Sequence, residues 1–136
     1  MNEQVLNEDA GMELKVKVWI EHGERIVFGR GRAILMEAIA STGSISAAAR
    51  RLGMSYRHAW TMVRASEERL GRPLLVRSKG GRGGGGARLT HLAKALLREY
   101  RDIEARLSES ARKETRALRK LSERKEREDD RTNRGN

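Results

Sequence analysis

The chain contains no cysteine in its 136 residues. That excludes a disulfide framework and any thiolate metal site. Its three histidines, His22, His58 and His91, lie far apart without the close spacing of a metal-ligand set. No apolar run approaches the length that crosses a bilayer, and the opening MNEQVLNEDAGMELK is acidic, unlike a secretory leader. A cytoplasmic, nucleoid-associated protein is expected. Paired carboxylates in an apolar setting, a metal cluster and a Ser-His-Asp arrangement are all missing, so no enzyme chemistry is read from the sequence and no cofactor is expected.

What the chain does have is positive charge, unevenly placed. The formal net charge is +10. Residues 1–28 carry three basic against six acidic side chains, residues 29–111 carry sixteen against seven, and residues 112–136 carry ten against six. A basic excess concentrated in a small central domain points to a polyanion, most often nucleic acid.

The fold expected from the pattern is mainly α with small β hairpins: a winged helix-turn-helix with an N-terminal β-hairpin and a long C-terminal helix. Residues 1–11 are expected to be flexible. Over 12–28, Leu14, Val16, Val18 and Ile20 alternate with Lys15, Lys17 and Trp19, the period of a half-buried strand, and His22-Gly23-Glu24 marks a turn before Arg25-Ile26-Val27-Phe28 returns. Ile34, Leu35, Ala38 and Ile39 then form one apolar stripe of a helix that Gly43 can end. Residues 46–66 hold two helices. Ser44 or Ser46 caps the first, Gly53 ends it, and Ser55 caps the second two residues later. Ala47, Ala48 and Ala49 thin the first helix so that the second can cross it closely, with Ile45, Ala48, Leu52, Ala59 and Val63 facing inward.

Between two short apolar-basic runs lies KGGRGGGGARLT, residues 79–90, with six glycines. A Walker loop needs Lys then Ser or Thr after its last glycine, but Ala87-Arg88-Leu89 follows here. A plain linker is one reading. The flanking runs and the preceding helix pair favour a hairpin wing over 74–90, whose glycines bring backbone N–H groups close to a sugar-phosphate wall. Beyond it Leu92, Leu96, Tyr100, Ile103, Leu107 and Ala111 recur at steps of three and four. Over 91–111 this is either a dimerisation seam or a helix packed on its own domain. Dense charge from Arg112 onward predicts a frayed or disordered tail over 112–136.

In a helix-turn-helix the start of the second helix meets the base edges in the major groove, which assigns that role to Ser55, Tyr56, Arg57, His58 and Thr61. Arg57 suits either the paired acceptors of guanine or a phosphate, and Ser55 either a cap alone or a phosphate donor as well. Tyr56 and Trp60, one turn apart, contact a thymine methyl or a sugar, or else Trp60 braces the helix from inside. Arg64 is read as a phosphate contact or a solvated residue. Arg77, Lys79, Arg82 and Arg88 supply the wing's charge for phosphate or minor-groove contacts.

The segment from Glu37 to Tyr100 resembles the DNA-binding domain of the molybdate-responsive transcription regulators, the ModE family. Gly43-Ser44-Ile45-Ser46 with Ala48-Ala49, then Gly53-Met54-Ser55-Tyr56-Arg57-His58-Ala59-Trp60, and the tip Gly80-Gly81-Arg82-Gly83-Gly84-Gly85-Gly86-Ala87 before Leu89-Thr90 carry the resemblance. More distantly the chain is similar to the LysR-type winged helix-turn-helix, as in ERLGRPLLVRS followed by LT. The resemblance implies binding of double-stranded DNA at an operator. In that family molybdate or tungstate is held by further C-terminal domains, and a charged tail stands where they would begin, so the resemblance does not extend to oxyanion sensing by this polypeptide. The expectation is a dimeric, sequence-specific transcription regulator. Its alternatives are a low-specificity nucleoid-type DNA-binding protein, or a DNA-binding subunit working with a separate oxyanion sensor.

Overall fold

The structure, a computed structural model, describes residues 11–79 and 85–135, without the side chains of residues 125 and 126. The expected flexible segment before Gly11, and Gly80, Gly81, Arg82, Gly83 and Gly84 of the glycine tip, lie outside the described residues. The chain divides into two compact units, Val18–Glu104 and a second made of Met1–Lys17 with Ala105–Asn136.

The first unit opens with β1 (Trp19–His22) and β2 (Arg25–Gly29), an antiparallel pair. Their two-residue turn places Gly23 and Glu24 at φ 57° and 64°. Left-handed backbone at both central positions matches the right-handed twist of the strands. Val27 and Phe28 are buried and start the core. The alternation from Leu14 predicted a longer strand, but pairing begins only at Trp19, opposite Gly29. The reason is the partner's length, since β2 passes directly into a helix and has nothing to offer Leu14 or Val16, which stay exposed.

Three helices follow: α1 (Arg30–Thr42), α2 (Ile45–Leu52) and α3 (Tyr56–Leu70). The Ser44 hydroxyl accepts the Ala47 N–H at 2.9 Å and so caps α2. The Ser55 hydroxyl accepts the His58 N–H at 3.0 Å and caps α3. Each cap satisfies one of the donors that a helix start leaves unpaired, a contribution of about 1 kcal/mol. Gly53 closes α2 at φ 68°, a conformation a side chain opposes, which makes the turn short. Leu35, Met36 and Ile39 of α1, Ile45 and Ala48 of α2, and Ala59 and Val63 of α3 are buried together, with Leu52 partly buried against them. Ile34, expected in the apolar stripe, is instead exposed. The inward arc of α1 runs through Ala33, Met36 and Ala38 and turns Ile34 outward.

The next hairpin is β3 (Leu75–Ser78) with β4 (Gly86–Leu89), in the register Leu75↔Leu89 to Ser78↔Gly86. The Ala87 N–H donates to the Gly43 carbonyl at 2.8 Å and joins this hairpin to the end of α1. The last element is α4 (His91–Asn133), whose first turn is tied by the Ala93 N–H to the Thr90 hydroxyl at 3.2 Å. Tyr100 of α4 is fully buried, meets Phe28 edge-to-face at 5.3 Å, and donates its hydroxyl proton to the Val18 carbonyl at 2.9 Å. Truncating Phe28 to Ala costs about 3–5 kcal/mol, since it removes buried area and leaves a cavity under Tyr100.

In the second unit α4 continues to Asn133 rather than giving way to the expected frayed or disordered tail after Ala111. The charges that suggested disorder fall at helical spacing, as in Arg112 with Glu109 and Arg134 with Asp130, and such pairs support a helix by a few tenths of a kcal/mol each. Ala111 and Thr115 are buried here. The Leu14 N–H donates to the Thr115 hydroxyl at 3.0 Å, and Arg119 Nε donates to the Met12 carbonyl at 3.3 Å. Leu14 thus serves this contact instead of a strand.

Candidate nucleic-acid interface

α3 buries Ala59, Val63, Ser66 and Glu67 and leaves its other side open. Arg57, Thr61 and Arg64, at steps of four and three, share the open side. His58 sits about 100° further round the helix, exposed on a neighbouring flank. Tyr56 and Trp60 stand one turn apart and are 54% and 41% exposed, so Trp60 is not an internal brace. The Arg64 guanidinium lies 5.8 Å from the centre of the Trp60 ring, within cation–π range. Arg64 also lies 3.7 Å from Glu67 and 3.6 Å from Glu68, so its charge is already partly answered within the protein.

A cleft of about 430 Å³ opens beside the start of α3. Ser44 and Ser46 line it from α2, Tyr56 from α3, and Arg77, Ser78 and Gly86 from the hairpin. The structure therefore brings Tyr56 and Arg77 together, with the start of α2 between them. Lys79 and Arg88 are exposed on the hairpin, and Arg82 lies outside the described residues.

Arg77 has a second commitment. Its Nη2 is 3.1 Å from Glu67 Oε1, and Glu67 is only 5% exposed. The other Glu67 oxygen accepts the backbone N–H groups of Leu74 at 2.9 Å and Leu75 at 3.3 Å. A buried carboxylate with three donors orients the hairpin against α3, and charge-assisted bonds of this kind are stronger than neutral ones. Sequence reasoning missed Glu67, although it continues the inward series Ala59, Val63 at the same step of four. It also missed Ser46 and Ser78 as cleft residues. Short polar side chains carry no local signal of a distant partner.

Residues 33–94 match the family described as "Bacterial regulatory helix-turn-helix protein, lysR family". These residues are similar to the lysR-type regulatory helix-turn-helix. The match spans α1, α2, α3, the β3–β4 hairpin and the first turn of α4. Over 77 residues the chain is 47% identical to the molybdenum-pterin-binding protein MopB of Rhodobacter capsulatus, covering 57% of this chain and 28% of that protein. Over 100 residues it is 31% identical to the DNA-binding transcriptional dual regulator ModE of Escherichia coli K12, covering 74% of this chain and 38% of that protein. The chain thus spans well under half the length of these relatives. Among solved structures, the DNA-binding domain of CbnR in complex with DNA is 31% identical, with 64% of this chain and 93% of that chain covered and a TM-score of 0.49. The lysR-type helix-turn-helix is a DNA-binding regulatory module, not a catalytic one. Among the described residues no group of His, Asp or Glu has the arrangement of a metal site, and no helix is long and apolar enough to cross a membrane.

Proposed function

We propose that this chain is a sequence-specific transcription regulator that binds double-stranded DNA as a homodimer. The first turns of α3 enter the major groove and the β3–β4 wing meets the backbone or minor groove. The observation that carries the reading is the capped, exposed start of α3. Ser55 fixes the helix end, Ala59 and Val63 anchor it, and Tyr56, Arg57, His58 and Thr61 project from the rim. A helix held rigidly from below with polar and aromatic groups at its N-terminal end suits base-edge contact. Arg57 supplies the fork that matches guanine O6 and N7. Ser55 supports a phosphate contact as well as its cap. Lys79 and Arg88, with Arg82, supply backbone charge, and Arg64 and Arg77 join them once DNA phosphates compete with Glu67 and Glu68.

One such domain reads few base pairs. Two copies place recognition helices about 34 Å apart, or a multiple of that, on an inverted repeat. The α4 surface supports pairing, since Leu107 and Leu121 are 41% and 58% exposed, while Leu92 and Leu96 pack against their own core.

The names of the relatives support a link to molybdenum. The alternative that this link favours is a DNA-binding subunit working with a separate oxyanion sensor. Selection from a random DNA library at physiological salt, with and without molybdate and tungstate, tests the whole reading. The expected result is an enriched inverted repeat that does not change with either anion. Strong, salt-sensitive binding without an enriched motif would replace it with a low-specificity nucleoid-type role.

A further inference from the structure

The alternation around Leu14 is a strand pattern for which the fold supplies no partner strand. Met12, Leu14 and Val16 are 47%, 41% and 41% exposed. Glu13, Lys15 and Lys17 between them are exposed as well. Pairing with β2 starts only at Trp19.

One edge of this segment is nevertheless fixed. The Leu14 N–H donates to the Thr115 hydroxyl, which gives its own proton to the Ala111 carbonyl at 2.8 Å. The Met12 carbonyl accepts from Arg119 Nε. Thr115 and Arg119 are one turn apart on α4, about 6 Å. Met12 and Leu14 cover that distance in two steps, the rise of an extended chain at about 3.3 Å per residue. In an extended chain the N–H and C=O of one residue point to one side and those of the next residue to the other. Met12 and Leu14 therefore turn their peptide groups toward α4, and Glu13, Lys15 and Lys17 turn theirs away. Among the described residues no hydrogen bond meets the backbone of those three.

This is a free strand edge, and the unit that bears it does not close it alone. Among the described residues of that unit only Ala111 and Thr115 are buried, while Leu107 and Leu121 are exposed too. One helix with one extended segment has no second layer to cover an apolar face. Lysine on an edge ordinarily discourages pairing, but Glu13 makes one register favourable. In an antiparallel pair of identical segments centred on Leu14, Glu13 stands opposite the partner's Lys15. Leu14 then meets the partner's Leu14, and Met12 meets the partner's Val16. Opposite charges face each other on one side of the ribbon and apolar side chains on the other. The outward peptide groups of Glu13 and Lys15 fall at the hydrogen-bonded positions of that register, and Leu14 falls at the closer, non-hydrogen-bonded one. Centred on Glu13 or on Lys15, the pair would set that charge against itself, as would a parallel pair in register.

We propose that residues 12–16 pair antiparallel with the same residues of a second copy, about a two-fold axis through Leu14. The proposal rests on the homodimer in the reading above and adds to it a contact made by backbone, separate from α4. Each residue meets its counterpart reciprocally, as a closed two-fold contact requires.

The test uses the full chain, in which the absence of cysteine makes an introduced thiol the only one. Cα atoms of a non-hydrogen-bonded antiparallel pair lie about 4.5 Å apart, within disulfide range. Leu14→Cys should form a disulfide-linked dimer on mild oxidation. Val16→Cys should not, since the two copies of that position lie about 13 Å apart. Mixed Met12→Cys and Val16→Cys chains should link to each other. Sedimentation equilibrium gives a second readout. Glu13→Lys should weaken self-association at least about tenfold, and the full exchange, Glu13→Lys with Lys15→Glu, should restore it. Both side chains are exposed, so folding is not at stake. A wild-type chain that stays monomeric would overturn the homodimer reading and this contact with it. A dimer indifferent to charge reversal, with Leu14→Cys and Val16→Cys linking alike, would overturn the contact alone and leave pairing to α4. Slow hydrogen exchange at the Lys15 amide in a monomer would instead give this edge to another segment of the same chain.

Discussion

Arg77 of β3 and Glu67 of α3 meet at 3.1 Å across the joint between the β3–β4 hairpin and α3, with the carboxylate buried and the guanidinium partly open. One arginine thus serves the protein's own geometry and lines the cleft beside the start of α3.

Removing the carboxylate should be far more harmful than removing the arginine. Glu67→Ala strands the Leu74 and Leu75 N–H groups together with Arg77 and should cost about 3–5 kcal/mol. Arg77→Met leaves Glu67 with both backbone donors and should cost about 1–2 kcal/mol. Urea unfolding of the two single variants and the double variant measures the coupling, expected between about 0.5 and 3 kcal/mol. Additive losses would mean that the pair does not act as a joint.

The arginines and the lysine proposed to face DNA should separate by the kind of loss. Arg57→Ala should weaken binding to the selected site by about 1–3 kcal/mol and relax one base position. Arg88→Ala and Lys79→Ala should weaken selected and random duplexes alike and flatten the salt dependence by about one unit each. Titrations over a range of salt distinguish them. Equal losses on both duplexes for Arg57→Ala would assign it to phosphate.

Tyr100 gives a pH dependence. Burial first, then the Glu104 charge and the hydrogen bond its carboxylate accepts from the hydroxyl proton that Val18 shares, raise the Tyr100 pKa above its ordinary 10.0. Folding therefore favours the neutral phenol. The associated stability is complete below about pH 10, where the unfolded tyrosine titrates. It is lost as pH rises through the folded value. Tyr100→Phe should lower stability at neutral pH by about 1 kcal/mol through loss of the bond to Val18, and should flatten the alkaline decline. A decline that is unchanged in Tyr100→Phe would place its cause elsewhere.

The helix-turn-helix was legible because its signals are local. Ser55 and Gly53 act on backbone a few residues away, and Ala48, Ala59 and Val63 repeat with the helix itself. What failed needed a partner that the sequence does not reveal. Leu14 and Val16 alternate like a strand, yet β2 is too short to receive them. Trp60 reads equally as an outward contact or an internal brace, and only its position on α3, 41% exposed, decides for the outward side. The joint of Glu67 with Leu74, Leu75 and Arg77 crosses a helix end and a turn. Charge density after Ala111 was read by amount, whereas its spacing sustains the helix to Asn133.

The bond from the Ala87 amide to the Gly43 carbonyl has a consequence for association. Gly43 directly precedes the cap of α2, so the base of the wing and the entry to the helix pair are fastened at one peptide unit. With Glu67 fastening the other strand to α3, the relative placement of three contacting elements is set when the chain folds. A duplex that docks against them has correspondingly little motion left to arrest, which favours long residence over rapid exchange.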